Sequence, residues 1–125
     1  MNRTSKSVNG RAVVVEGQRE AERLAKVRAP LVVTTHHRRA RFQALFDAAP
    51  GVGADMQADR LLKALRGGPM TSFQARQYLD IACPASRIHT LRHERGIDIL
   101  CTYVRQASTC GTVHVLGSYS IAGRP

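Results

Sequence analysis

From Asp55 onward the apolar residues first follow the period of a helix and then that of a strand. Ala58, Leu61, Leu62 and Leu65 stand at i, i+3, i+4 and i+7, a single stripe on a helix that Asp55 can cap and that runs to Arg66. Gly67-Gly68-Pro69 stops it. Thr71 and Gln74 then form a T-x-x-Q capping box, with Met70 and Ala75 placed as its hydrophobic staple, and predict a short helix over Ser72–Leu79 that ends at Asp80. A turn through Ile81-Ala82-Cys83 leads to Pro84, a residue suited to the first position of a third helix. Ile88 and Leu91 supply that helix with a buried face and Gly96 ends it. The period then falls to two. Ile97, Ile99, Cys101 and Tyr103 alternate with Asp98, Leu100, Thr102 and Val104, while Val113, Val115, Gly117, Tyr119 and Ile121 alternate with His114, Leu116, Ser118 and Ser120. Alternation on both sides of the polar loop Arg105–Thr112 predicts a β-hairpin.

The residues ahead of Ala54 carry weaker signals. Residues 1–10 read as a loose polar arm, Ala12–Val15 as a β-rich run, and Gln18–Val27 as a helix with Ala21, Leu24 and Ala25 on one side. Pro30 breaks that helix and Leu31–Thr35 reads as a strand. In the segment 36–49, Phe42, Leu45 and Phe46 make an amphipathic helix, but the cations at its start oppose the helix dipole and push the expected start towards Arg41. Pro50-Gly51-Val52-Gly53 marks a linker. The expected organisation is a basic extension, 1–53, followed by a folded unit, 54–125. The expected class is α+β, mainly α, with three short helices and then a hairpin.

Charge narrows the partner. The chain holds 19 Lys and Arg against 9 Asp and Glu, a formal net charge of +10. Both parts share the excess, which is densest before Ala54. Such a balance favours a polyanion through counterion release. Most of the cations are arginines, the side chain best matched to phosphate and to guanine edges. A solubility charge is the bland alternative. The polar start has no secretory pattern, no apolar run is long enough to span a bilayer, and the three cysteines are an odd number, so the expected setting is a reducing cytoplasm.

The stretch LLKALRGGPMTSFQARQYLDIACPASRIHTLRHERGIDI resembles the winged helix-turn-helix domain common in phage and prophage proteins. The likeness rests on Gly68-Pro69-Met70-Thr71, on Ala75 with Leu79, on Ile81, and on Ala85-Ser86-Arg87-Ile88 with Leu91-Arg92 and Gly96. It departs from the pattern at Cys83-Pro84, since Cys83 is a weak N-cap. The resemblance implies a double-stranded-DNA-binding module of the kind found in transcriptional regulators, with the third helix reading the major groove and the hairpin serving as a wing.

With Ile88 and Leu91 facing inward, Ser86, Arg87, Thr90, His89 and His93 are expected to face out. Arg87 suits a bidentate contact to guanine, or else a phosphate clamp or an ion pair with Asp80. Arg76 and Arg92 read as phosphate contacts or solvated surface. Arg105, Gln106, Ser108 and Thr109 form the wing loop or a plain hairpin turn. Arg38, Arg39 and Arg41, with His36 and His37, read as an auxiliary DNA arm or as a solvated helix start. Phe42, Leu45 and Phe46 offer an apolar surface for a homodimer or for docking on the domain.

Other chemistries find little support. His89 and His93 have a chelating i, i+4 spacing, and Cys83, Cys101, Cys110 and His114 are further ligand types, but there is no C-x-x-C and the hairpin register keeps Cys101 from facing Cys110. No metal, cofactor or small-molecule substrate is expected; Cys83 reads as a buried turn residue and Cys101 as a core-facing thiol. The scattered carboxylates Asp55, Asp59, Asp80, Glu94 and Asp98 form no catalytic pair, and P-loop, nucleophile-elbow and dinucleotide motifs are absent, so the chain reads as a non-enzyme. The alternative to DNA binding is a protein-interaction adaptor or inhibitor on the same scaffold.

Overall fold

The structure is a computed structural model that describes residues 28–123 together with Arg19, Glu20 and Arg23. These last three are helical and exposed, and Arg23 pairs with Glu20. The expected arm 1–10, the run Ala12–Val15 and the remainder of the helix Gln18–Val27 lie outside the described residues. In chain order the elements are β1 (Leu31–Val32), α1 (His36–Ala48), α2 (Ala54–Arg66), β2 (Met70–Thr71), α3 (Ser72–Leu79), α4 (Pro84–His89, continued by a π-helical turn, Thr90–Glu94), β3 (Ile99–Ala107) and β4 (Val113–Ile121). The strands form one sheet in the order β1-β3-β4-β2. β3 and β4 make the antiparallel hairpin, β2 adds antiparallel to β4 at Met70↔Tyr119, and β1 adds parallel to β3 at Leu31↔Arg105.

The helices form where the apolar stripes require, with ends set by local hydrogen bonds. α2 begins two residues earlier than a cap at Asp55 would place it, and its N-cap is Gly53, not Asp55. Asp55 instead lies in the first turn, where its charge complements the dipole and Arg95 approaches it. α1 begins at His36, five residues ahead of Arg41. Thr35 caps it by accepting from Arg38 N at 3.1 Å, and the cations find carbonyl and aromatic partners that offset the dipole. The strand expected over Leu31–Thr35 stops at Val32, because Thr34 and Thr35 turn their hydroxyls to Gln74 and to the α1 cap. α3 matches its expected span, and both halves of its capping box are formed.

One core gathers Leu61, Leu65, Met70, Leu79, Ile81, Ile88, Leu91 and Ile99, and Phe42 of α1 belongs to it. Phe42 is fully buried, with Leu45 packed beside it, so the apolar face of α1 is docked on the helices that follow. The hairpin buries different faces at its two ends. At the base Ile99 is buried and Ile121 opposite packs on the core, whereas towards the tip the buried positions are Val104, Gln106, Leu116 and Ser118. The right-handed twist of a two-stranded ribbon turns first one face and then the other to the helices. Cys101 is therefore exposed rather than core-facing, and Tyr103, Val113 and Val115 share its open face.

Candidate nucleic-acid interface

The geometry of the site begins at the end of α3. Asp80 adopts a left-handed conformation with φ 53°, and Ile81 N donates to Ala75 O at 3.1 Å, closing the helix and burying Ile81 beneath it. The chain then extends to Cys83, whose side chain supplies no cap. Its carbonyl instead accepts from Ser86 N and Arg87 N at 3.1 and 3.3 Å. Pro84 occupies the first turn of α4 and is buried; Ile88 and Leu91 continue the inward stripe. Beyond His89 the helix widens into a π turn, a departure from the regular helix expected up to Gly96. Gly96 at φ 66° then reverses the chain, and Ile97 N donates to Leu91 O at 2.9 Å.

The side chains expected to face out separate into two groups. Ser86, His89 and His93 are exposed, and the rings of His89 and His93 lie 4.3 Å apart. The guanidiniums of Arg87, half-buried, and Arg76, exposed on α3, have no hydrogen-bond or ion-pair partner among the described residues, so the alternative Arg87–Asp80 pair is not formed. Thr90 is a correction: it is buried, with its hydroxyl donating back to Ser86 O at 3.1 Å. That back-bond occupies its polar atom and turns the side chain off the open face.

Several expected contacts are occupied with holding the fold. Arg92 donates from Nε and Nη2 to Ile99 O at 3.1 and 2.7 Å, fixing the turn between α4 and β3. Arg105 donates from Nε to Ala29 O at 2.8 Å, and Gln106 is buried, accepting from Thr71 Oγ at 2.6 Å. Neither belongs to a free wing; Ser108 and Thr109 remain at the tip. Arg38 donates to Pro69 O at 2.7 Å and lies over the Phe42 ring, while Arg41 reaches Lys63 O and packs on Gly67, where a Cβ would meet its guanidinium at 2.6 Å. These two bind α1 to the end of α2 in place of a free arm. Arg39 lies over the Tyr78 ring at 5.9 Å.

Sequence reasoning missed the electrostatics of Cys83. The thiol is exposed, not buried in its turn, and accepts from Ser86 Oγ at 3.1 Å. That hydrogen bond, reinforced by the Ser86 backbone and by the charges of Arg76 and Arg87, pulls its pKa below the ordinary thiol value against the opposing effect of desolvation. The signal was present as a Ser three residues after Cys83. The open surface of α4 thus carries a hydroxyl, two imidazoles and the Arg87 guanidinium, with the Cys83 thiol at its start and Arg76 nearby on α3. Among the described residues no cluster of three or more His, Cys, Asp or Glu could hold a metal, and no helix is long and apolar enough to cross a membrane.

Helix α2, strand β2, helices α3 and α4 and the hairpin β3–β4 follow one another in the order of a helix-turn-helix with a wing, a DNA-binding arrangement. The family model described as "Winged helix-turn-helix domain" matches residues 56–124. Searches of curated proteins and of solved structures found no match. On the family match and the order of its elements, the chain belongs to the winged helix-turn-helix domain family.

Proposed function

We propose that this protein binds double-stranded DNA sequence-specifically through α4 and acts as a transcriptional regulator or accessory DNA-binding protein of the phage or prophage type. The observation that carries the reading is the division of the arginines. Arg92, Arg105, Arg38 and Arg41 are committed to backbone carbonyls, whereas the guanidiniums of Arg87 and Arg76 have no hydrogen-bond or ion-pair partner among the described residues and stand beside the exposed Ser86, His89 and His93. In a major groove Arg87 donates in a fork to guanine, Ser86 adapts to a base or a phosphate, and Arg76 takes a flanking phosphate. Selection of bound duplexes from random DNA should return a defined motif. Arg87→Ala should then cost about 1–3 kcal/mol and relax one base pair of that motif. Binding untouched by Arg87→Ala would overturn the assignment of the reader.

A second reading, a protein-interaction module, draws support from the sheet face of Val113 and Val115, which are 51% and 45% exposed. The same face suits a homodimer. A stoichiometric protein complex without any duplex binding at moderate salt would favour that reading over the first.

A further inference from the structure

Between α3 and the tip of the hairpin run two adjoining hollows of about 220 and 260 Å³. They share Gln77, Ser108 and Thr109. The first is closed by Thr34 and Arg39, from the chain ahead of the residues matched by the family; the second is closed by Phe73 and Arg76 of α3. We propose that this groove is a second DNA contact, in which Arg39, Gln77, Ser108, Thr109 and Arg76 hold the sugar–phosphate backbone flanking the stretch read by α4. The inference rests on the DNA-binding reading and adds a part of the chain that the family domain lacks.

Three observations converge on a phosphodiester strand. A guanidinium stands at each end with neutral donors between, and the lining contains no carboxylate, so the groove carries a net positive charge. Among the described residues, the side chains of Gln77, Ser108, Thr109 and Arg76 make no hydrogen bond, which leaves their donors to a ligand. The groove is also continuous with the reading surface, because Arg76 lines it and, together with Arg87, acts on the Cys83 thiol at the start of α4. An open trough with apolar patches at Val32, Val33 and Phe73 suits deoxyribose between phosphates better than a small enclosed anion. Arg38 and Arg41 are tied to Pro69 and Lys63, whereas Arg39 lies over the Tyr78 ring at the groove wall.

The test uses the full chain and a fluorescein-labelled mixed-sequence duplex, titrated by anisotropy over a series of KCl concentrations. Arg39→Gln and, from the opposite wall, Thr109→Glu should each weaken binding. Arg39→Gln should also lower the slope of log K against log salt by about 0.9, the value of one lost phosphate contact. Preference among sequences should stay as in the parent, whereas Arg87→Ala should change it. If Arg39→Gln and Thr109→Glu leave both affinity and slope unaltered while Arg87→Ala weakens binding, the groove proposal falls and the α4 reading stands. If the parent chain binds no duplex at all, both fall. Thermal unfolding of each variant separates loss of contact from loss of fold, and Thr109→Glu lies on the hairpin turn away from the core.

Discussion

Arg60 and Asp80 illustrate how single residues are placed against their ordinary preferences. The Arg60 guanidinium is buried under Phe46 and donates to Leu79 O, Ala49 O and Gly51 O at 3.0, 2.7 and 2.6 Å, joining the end of α3 to the linker between α1 and α2. Burial lowers its pKa, and the charge of Asp80 acts in the opposite direction. Asp80 itself sits in a backbone conformation that favours glycine. The two effects can be separated. Asp80→Asn keeps the left-handed tolerance and loses the charge, so it should destabilise slightly. Asp80→Gly, which also relieves the backbone, should be more stable than Asp80→Asn by about 0.5–1 kcal/mol in urea unfolding. For Cys83 the expectation concerns pH. Its lowered pKa places more thiolate at neutral pH, so its reaction with a disulfide reagent should rise over a lower pH window than that of a simple thiol. Ser86→Ala removes the main cause and should move that rate profile upward; a profile unchanged by Ser86→Ala would contradict the hydrogen-bond account.

Among the elements, α3 is tied through its start to a strand and to the loop after β1. Thr71 Oγ accepts from Gln74 N at 3.0 Å and donates to Gln106 at 2.6 Å, while Gln74 Nε2 donates to Thr34 Oγ at 3.0 Å. One buried polar chain therefore links the loop after β1, the start of α3 and strand β3. Thr71→Val keeps the shape but leaves two buried groups without partners, and should cost on the order of 2 kcal/mol, whereas Thr71→Ser should restore most of it. The capping box, the Gly67-Gly68-Pro69 stop, Pro84 and Gly96 were legible in the sequence because each depends on neighbours three or four residues away. What escaped depends on partners distant in sequence. Arg60 lies off the apolar stripe of α2 and is buried because Phe46 of α1, the end of α3 and the linker close around it. Cys83 and Cys101 were assigned to the interior by residue type, while the turn and the twist of the hairpin decide their exposure. The outward group on α4 was read from its inward stripe, but Thr90 could not be, because a back-bond within the helix overrides the helical wheel.

At the scale of the whole molecule, the family domain and the chain before it share one core. Phe42 packs among residues of α2, α3 and α4, and β1 covers part of the outer edge of β3. A fragment of residues 54–125 should therefore be less stable than the full chain. It should also self-associate, because Leu31–Val32 no longer pairs with Arg105–Gln106 and the bared edge can accept another strand. Urea midpoints and size-exclusion profiles of the two proteins check both expectations. The pairing of Leu31 with Arg105 has a further consequence for how the protein is made. β1 is synthesised well ahead of its partner strand β3, and a parallel pair cannot close locally as a hairpin does. β1 thus takes its place in the sheet only once the hairpin has formed the edge that receives it.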